Sequence, residues 1–452
     1  MQMIRSGHVV FFQIILALAG AIAGGPTFAF AGATYTANPD NYLAVLKMLE
    51  PGAYLRLLPG EYKNGLPIHY LRGAAQAPIT ISGPKKGSRA VFMARPRHNT
   101  ISIINSSYVV IRNLDLDGRH LPVDGVKCEG HADWAHHITL EGLRVLGHGN
   151  NQQTVGISTK CPAWGWIIRN NVIEGAGTGL YLGNSDGRAP FIAGLIEHNL
   201  VVDTLGYNLQ IKHQQSRPIL PEIPDGPNST IIRHNVFSKA NGGSSQKMAR
   251  PNVLVGHWPL TGLGADDRYL IYGNFFYQNP QESLFQGEGN IALYNNLFVN
   301  HFGDAIRIQP HNDTARVISV FYNTVIANGA GITLSRREHD PAYPQLVTAN
   351  MVFANSRIHD AFLEGNLTGE LNDAVDFLAL PFAPLGEMNL APTSIKVRKH
   401  AGNNAHFAIY PDACVDFDGG GLIGADRIGA YSLDKDRPRW LPTLEIKPVV
   451  RP

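Results

Sequence analysis

Charge is scarce in this 452-residue chain: Asp, Glu, Lys and Arg make up 16% of it, against roughly a quarter in an average soluble domain. The signs nearly cancel, to a net +2. The total therefore gives no affinity for polyanions, and a nucleic-acid partner is not expected; any basic surface must come from local clustering. Cysteine is rare as well. None of the three, Cys128, Cys161 and Cys414, stands at metal-ligand spacing, which argues against a zinc site. Cys128 and Cys161 fall on neighbouring repeats, where a bridge and two buried free thiols are both open readings. Beyond residue 31 no run is long and apolar enough to span a bilayer. Long helical periodicities are few, which argues against a helical bundle or an α/β domain.

What the chain has instead is glycine, 47 residues of it, with plentiful asparagine and many short apolar runs. Residues 1–31 read as a secretory signal. Arg5 opens it, Val9 to Ala23 form the apolar stretch, and Ala29-Phe30-Ala31 gives a small-x-small cleavage site. An exported protein, periplasmic or secreted and with no membrane association after cleavage, is the expectation. In Asp40 to Leu49 the residues Leu43, Val45, Leu46 and Leu49 stand at helical spacing, and Pro51-Gly52 stops the run. A short capping helix before a first strand is expected there.

From about residue 78 the chain repeats itself. An apolar pair, two variable residues, Asn or Gly and another apolar residue recur around positions 113, 142, 171, 199, 235, 274, 296 and 324. The intervals run from 22 (274 to 296) to 39 (235 to 274), with insertions at 214–229 and 258–268. Each repeat has room for two or three short strands and none for a helix. One such unit cannot bury its apolar face alone, whereas stacked units bury a continuous core. The expected fold is all-β: a right-handed parallel β-helix over 32–370, with 371–452 as a C-terminal cap and tail continuing it. Asn171, Asn199, Asn235, Asn274 and Asn296 are expected at the turns, where Asn tolerates left-handed backbone and stacked amides bond along the column. Asp416 to Gly421 is an Asp/Gly cluster of a kind that can hold Ca²⁺, but its spacing is not that of an EF-hand loop, so a closing turn is expected.

Chemistry is expected on the outward side of the Gly- or Asn-led strands. Reading one outward column gives Lys127, Ser158, Tyr181, Gln210, Leu254, Phe285, Arg307 and Thr333; the next gives Glu129, Lys160, Gly183, Lys212, Gly256, Gly287, Gln309 and Ser335. His213, His257, Glu288, His311, Arg336 and Arg337 follow at the edge. Fixed cations interleaved with aromatic rings suit an extended acidic polysaccharide, since rings stack on sugar faces and Lys and Arg take carboxylates or sulfates.

The run Asn208-Leu209-Gln210-Ile211-Lys212-His213, followed by Asn252-Val253-Leu254-Val255-Gly256-His257, resembles the paired motif of the chondroitinase B/alginate lyase family of β-helical polysaccharide lyases. Pro51-Gly52, Gly60-Glu61-Tyr62 and Pro78-Ile79-Thr80-Ile81-Ser82-Gly83 are similar to that family's opening coils. The resemblance implies a secreted lyase, monomeric, that cleaves a uronate-containing polysaccharide by β-elimination. Lys212 would be the base, assisted by His257, His213 and Tyr181. The family's arginine falls on Gly256, leaving carboxylate recognition to Lys127, Lys160, Gln210, Arg250, Arg307, His311 and Arg336. Its Ca²⁺ ligands fall on Leu205 and Tyr207, so a Ca²⁺ cofactor of that type is implied without its ligands. Gln309-Pro310-His311 resembles part of the Asp-Pro-His core of alginate epimerases. A uronate C5-epimerase, a glycoside hydrolase and a non-catalytic polysaccharide-binding protein therefore stand as alternatives on the same fold.

Overall fold

The structure, a computed structural model, describes residues 32–311, 315–335, 342–359, 365–393, 405–421, 427–432 and 439–449. The expected signal segment and Arg336 lie outside the described residues.

Short strands with alternating burial stack coil upon coil into three parallel ladders. The first climbs from Thr34–Ala37 through Ile167–Arg169 to Gln345–Thr348. The second runs from Gly60–Tyr62 through Leu200–Val202 to Leu367–Gly369. The third includes Ile101–Ile104, Val126–Cys128, Val155–Thr159, Thr178–Leu182, Leu209–Ile211, Val253–Val255, Phe285–Gly287 and Ile306–Ile308. This is a parallel β-helix. Inward residues such as Ile157, Leu180, Leu209, Val253 and Phe285 are fully buried and form one continuous core. The helix Tyr42–Leu46, shorter than its sequence pattern suggested, seats Tyr42 and Leu46 on the first coil.

An asparagine column runs through the interior beside the turn. Asn171, Asn199, Asn235, Asn274, Asn296, Asn323, Asn350 and Asn366 each pass an amide hydrogen bond to the next at 2.9 to 3.0 Å. The left-handed residue is not the column asparagine, as expected from sequence, but the one before it: Asn170, His198, His234, Gly273, Asn295, Tyr322, Ala349 and Gly365 all have positive φ. The preceding residue makes the turn, which frees the column amide to point inward and bond along the axis.

Two expectations need correction. The outward column passes through Gln286, paired with Leu254 and Arg307, while Phe285 points into the core. Phe285 is a large apolar side chain with a core position open to it, and that sets the register. Among the described residues the chain after Gly369 also adds no further coil to the ladders. A capping turn at Leu371–Phe377 and an antiparallel pair, Leu378–Leu380 with Asn389–Pro392, close the end. The tail then runs back along the flank. Tyr294 Oη donates to the Pro411 carbonyl at 2.8 Å, and Lys447 Nζ donates to the carbonyls of Gly273 and Phe417 at 3.0 and 2.7 Å. Large apolar surfaces on Phe321, Tyr294 and Phe275 lie on the outside of the coils and draw it there, where Phe407, Tyr410 and Trp440 cover them.

Candidate active site

The outward column of the third ladder reads Ser102, Lys127, Ser158, Tyr181, Gln210, Leu254, Gln286, Arg307 and Thr333. Just past the strand ends a second column forms, fixed by backbone bonds from Lys160 N to Cys128 O, Lys212 N to Leu182 O, Gly256 N to Ile211 O and Glu288 N to Val255 O. Between these columns and the loops at 151–155 and 250 lies a groove of about 560 Å³. Lys127, Lys160, Lys212 and Arg250 line it, together with Tyr181, Tyr207 and Gln210. Among its lining residues Asp124 is the single carboxylate. That acid is fully engaged: it accepts from Val155 N at 2.9 Å and Ser158 Oγ at 3.1 Å, and Lys127 Nζ stands 3.4 Å away.

The cations outnumber their partners, and burial acts on them. Lys160 lies with Nζ 3.2 Å from the centre of the Tyr181 ring. Burial pulls its pKa down to about 8; the Lys127 and Lys212 charges add to that and Asp124 opposes it. Lys212 is also lowered by burial, with Glu288 acting the other way. Burial raises the phenols Tyr181 and Tyr207 above their ordinary range. At neutral pH the groove thus pairs lysines displaced toward the free amine with phenols that hold their protons.

His213 and His257 stack one coil apart, 5.4 Å between ring centres, beside Lys212 but outside the groove lining. His257 Nδ1 donates to the Trp258 carbonyl at 2.9 Å, which leaves Nε2 as the acceptor. Burial, then the Lys212 and His257 charges, lowers His213. Position 256 admits only glycine: a Cβ there would run into the backbone of Lys212 and His213. The arginine that the resemblance places at 256 has no room in this chain.

Of the other sequence candidates, Arg307 is held by Asp304 and Glu282, and His311 is exposed beside Glu288, whose carboxylate accepts from its backbone N–H. Neither lines the groove. Sequence reasoning missed Tyr207, Asp124 and the approach of Glu288. Glu288 was legible: once Phe285 is placed inward, alternation puts Glu288 in the column of Lys212, with the bare Gly256 between them. Leu205 and Tyr207 offer a hydrocarbon and a proton-holding phenol, which do not fit a Ca²⁺ ion. Among the described residues no cluster of three or more acidic, His or Cys side chains converges on a metal position.

No protein-family profile matches the sequence, and no curated protein matches it. Solved structures similar in fold include an alginate lyase from Paenibacillus sp. str. FPU-7, 17% identical over 74% of this chain and 97% of that one, with a TM-score of 0.38. A PL6 family alginate lyase, AlyGC, is 13% identical over 90% of this chain and 60% of that one, TM-score 0.39. Pectate lyase Pel9A is 13% identical over 91% and 95%, TM-score 0.37. At this distance the likeness transfers no chemistry, and the function is argued from the groove itself.

Proposed function

We propose that this protein is a polysaccharide lyase that cleaves an acidic, uronate-containing polymer by β-elimination. The observation that carries the reading is the groove: Lys127, Lys160, Lys212 and Arg250 face one elongated cavity in which Asp124 is the single acid. Fixed cations neutralise a uronate carboxylate, which acidifies the C5 proton and stabilises the enolate-like charge that develops when it leaves. Lys212, whose free amine is favoured by burial, takes that proton. Tyr181 keeps its own proton because burial raises it, and it supplies that proton to the departing O4 oxygen. Lys127, Lys160, Gln210 and Arg250 hold the substrate. His213 and His257 bound the site beside Lys212 and contribute through its electrostatics. A hydrolase reading is disfavoured because hydrolysis calls for two carboxyl groups flanking one bond, whereas this groove is lined by one, already committed. The bridge between Cys128 and Cys161 suits an exported, oxidising setting.

The test is incubation with a panel of polyuronates while following the ultraviolet absorbance of the unsaturated uronate product. Lyase action raises it, and Lys212→Ala abolishes the rise. Absence of product from every uronate polymer, or full activity in Lys212→Ala, refutes the assignment. Reducing-sugar release without that absorbance points to hydrolysis, and solvent-proton exchange at C5 without cleavage to epimerisation.

A further inference from the structure

The outward column of the first ladder carries a charge pattern with a gap in it. Its register aligns Arg56, Ser82, Arg112, Glu141, Arg169, Glu197 and Arg233 on successive coils. From Glu141 onward the signs alternate and pair: Arg169 with Glu141 at 3.1 Å, and Arg233 with Glu197 at 2.8 Å. Each carboxylate is taken by the arginine one coil further on. The alternation fails at Ser82, where an acid would stand between Arg56 and Arg112. The Arg112 guanidinium meets only neutral hydroxyls there, Ser82 Oγ at 3.4 Å and Tyr54 Oη at 3.3 Å.

The gap opens into a cavity of about 460 Å³, lined by Tyr54, Arg56, Ser82, Lys85, Arg112 and Glu141, the last already paired with Arg169. Arg112 lies 5.7 Å from the centre of the Tyr54 ring. This cavity is on a different ladder from the lysine groove and shares no lining residue with it. Two guanidiniums two coils apart, an ammonium and the Tyr54 hydroxyl line a cavity large enough for an oxyanion, and planar guanidinium forks match carboxylate and sulfate geometry.

We propose that this cavity is a second anion-binding site, in which a carboxylate or sulfate group completes the charge ladder at Ser82. The ligand's oxygens accept from Arg112 and Arg56 and from the hydroxyl of Tyr54, while Ser82, whose hydroxyl donates to the Gly83 carbonyl at 3.0 Å, leaves the space an acid would fill. The proposal does not depend on the lyase reading, because it concerns binding at a separate face.

The test titrates the full protein by calorimetry, at constant ionic strength, with sodium sulfate and in parallel with a short oligouronate. Wild type is compared with Arg112→Gln and with Ser82→Asp, which supplies the missing carboxylate from within. The expected result is at least a tenfold weakening of one sulfate-binding event in Arg112→Gln and in Ser82→Asp, the latter also melting at higher temperature without added sulfate. Loss of the sulfate and an oligouronate event together supports a site open to either source of oxyanion. Loss of an oligouronate event alone supports a site for sugar-borne carboxylate. Unchanged titrations of both ligands in Arg112→Gln overturn the proposal, and that variant keeps the test decisive if Ser82→Asp does not fold.

Discussion

Replacing Asn235 by alanine tests whether the interior amide column holds the coils together. Asn235 is fully buried. Its Oδ1 accepts from Asn199 N and Asn199 Nδ2, both at 2.9 Å, and its Nδ2 lies within donating distance of the Ile196 carbonyl at 2.9 Å, the Arg233 carbonyl at 3.0 Å and Asn274 Oδ1 at 3.0 Å. Three of the five partners keep other bonds after the change: Asn199 Nδ2 still reaches the Ile168 carbonyl, the Arg233 carbonyl still accepts from His198 N, and Asn274 Oδ1 still accepts from the residue 235 N–H. The Asn199 N–H loses its side-chain acceptor, while the Ile196 carbonyl loses a side-chain donor but stays in the ladder with the next strand's backbone. At about 1–3 kcal/mol for a buried polar group left unmatched, Asn235→Ala costs about 1–3 kcal/mol. Urea unfolding monitored by circular dichroism measures it through the midpoint at constant slope. A loss under about 1 kcal/mol, within the range of an ordinary surface substitution, refutes the view that the column is a principal source of axial cohesion.

Glu288→Gln removes the negative charge that opposes the lowering of Lys212. The lysine pKa then falls further, and the acid limb of the kcat/KM profile on a polyuronate moves to lower pH, while an unmoved limb separates Lys212 from the titrating base. Lys239 is fully buried, donates to the Arg250 carbonyl at 2.8 Å, and has its pKa drawn down to about 8 by burial. The unfolded lysine titrates near about 10.4, so the unfolded chain holds the extra proton between those values. The charging penalty is complete below the folded value and is relieved as pH rises through the window, so stability climbs there; Lys239→Met flattens the climb in melting experiments run across that range. Replacing both Cys128 and Cys161 by serine removes a bridge with 33 residues of sequence separation and costs about 2–4 kcal/mol, read as a lower urea midpoint.

The repeat and the ladder asparagines were legible because a solenoid writes its period directly into the chain: Ile168 and Ile232 each stand three residues before their asparagines, Asn171 and Asn235, and the structure puts them at equivalent positions of one ladder with Ile196 between them. Lys127, Lys160 and Lys212 were legible as a group for the same reason, whereas Arg250 lies off the repeat columns and enters only as a stand-in for the arginine that the resemblance places at 256. What escaped was whatever depends on counting across an irregular coil. The segment 278–284 carries no outward marker, so Phe285 slipped by one and took Glu288 out of the Lys212 column with it. The crowding that forces glycine at 256 was invisible, since it comes from the backbone of a neighbouring coil 43 positions back, at 213. The path of the tail was unreadable because its partners, Tyr294 and Gly273, lie in coils with no sequence link to residues 411 and 447.

That returning tail changes how the molecule is assembled. In a stack where each coil touches only its neighbours, unfolding can begin at an end and proceed coil by coil. Here the Lys447 carbonyl accepts from His198 Nδ1 at 2.9 Å across 249 residues of sequence, and Lys447 Nζ reaches the Gly273 carbonyl. A segment made after the coils is thus the clasp for coils laid down long before it. A chain clipped near residue 440 keeps its solenoid core and the Pro411 and Phe407 contacts but loses the fastening that ties the coils of His198 and Gly273 together.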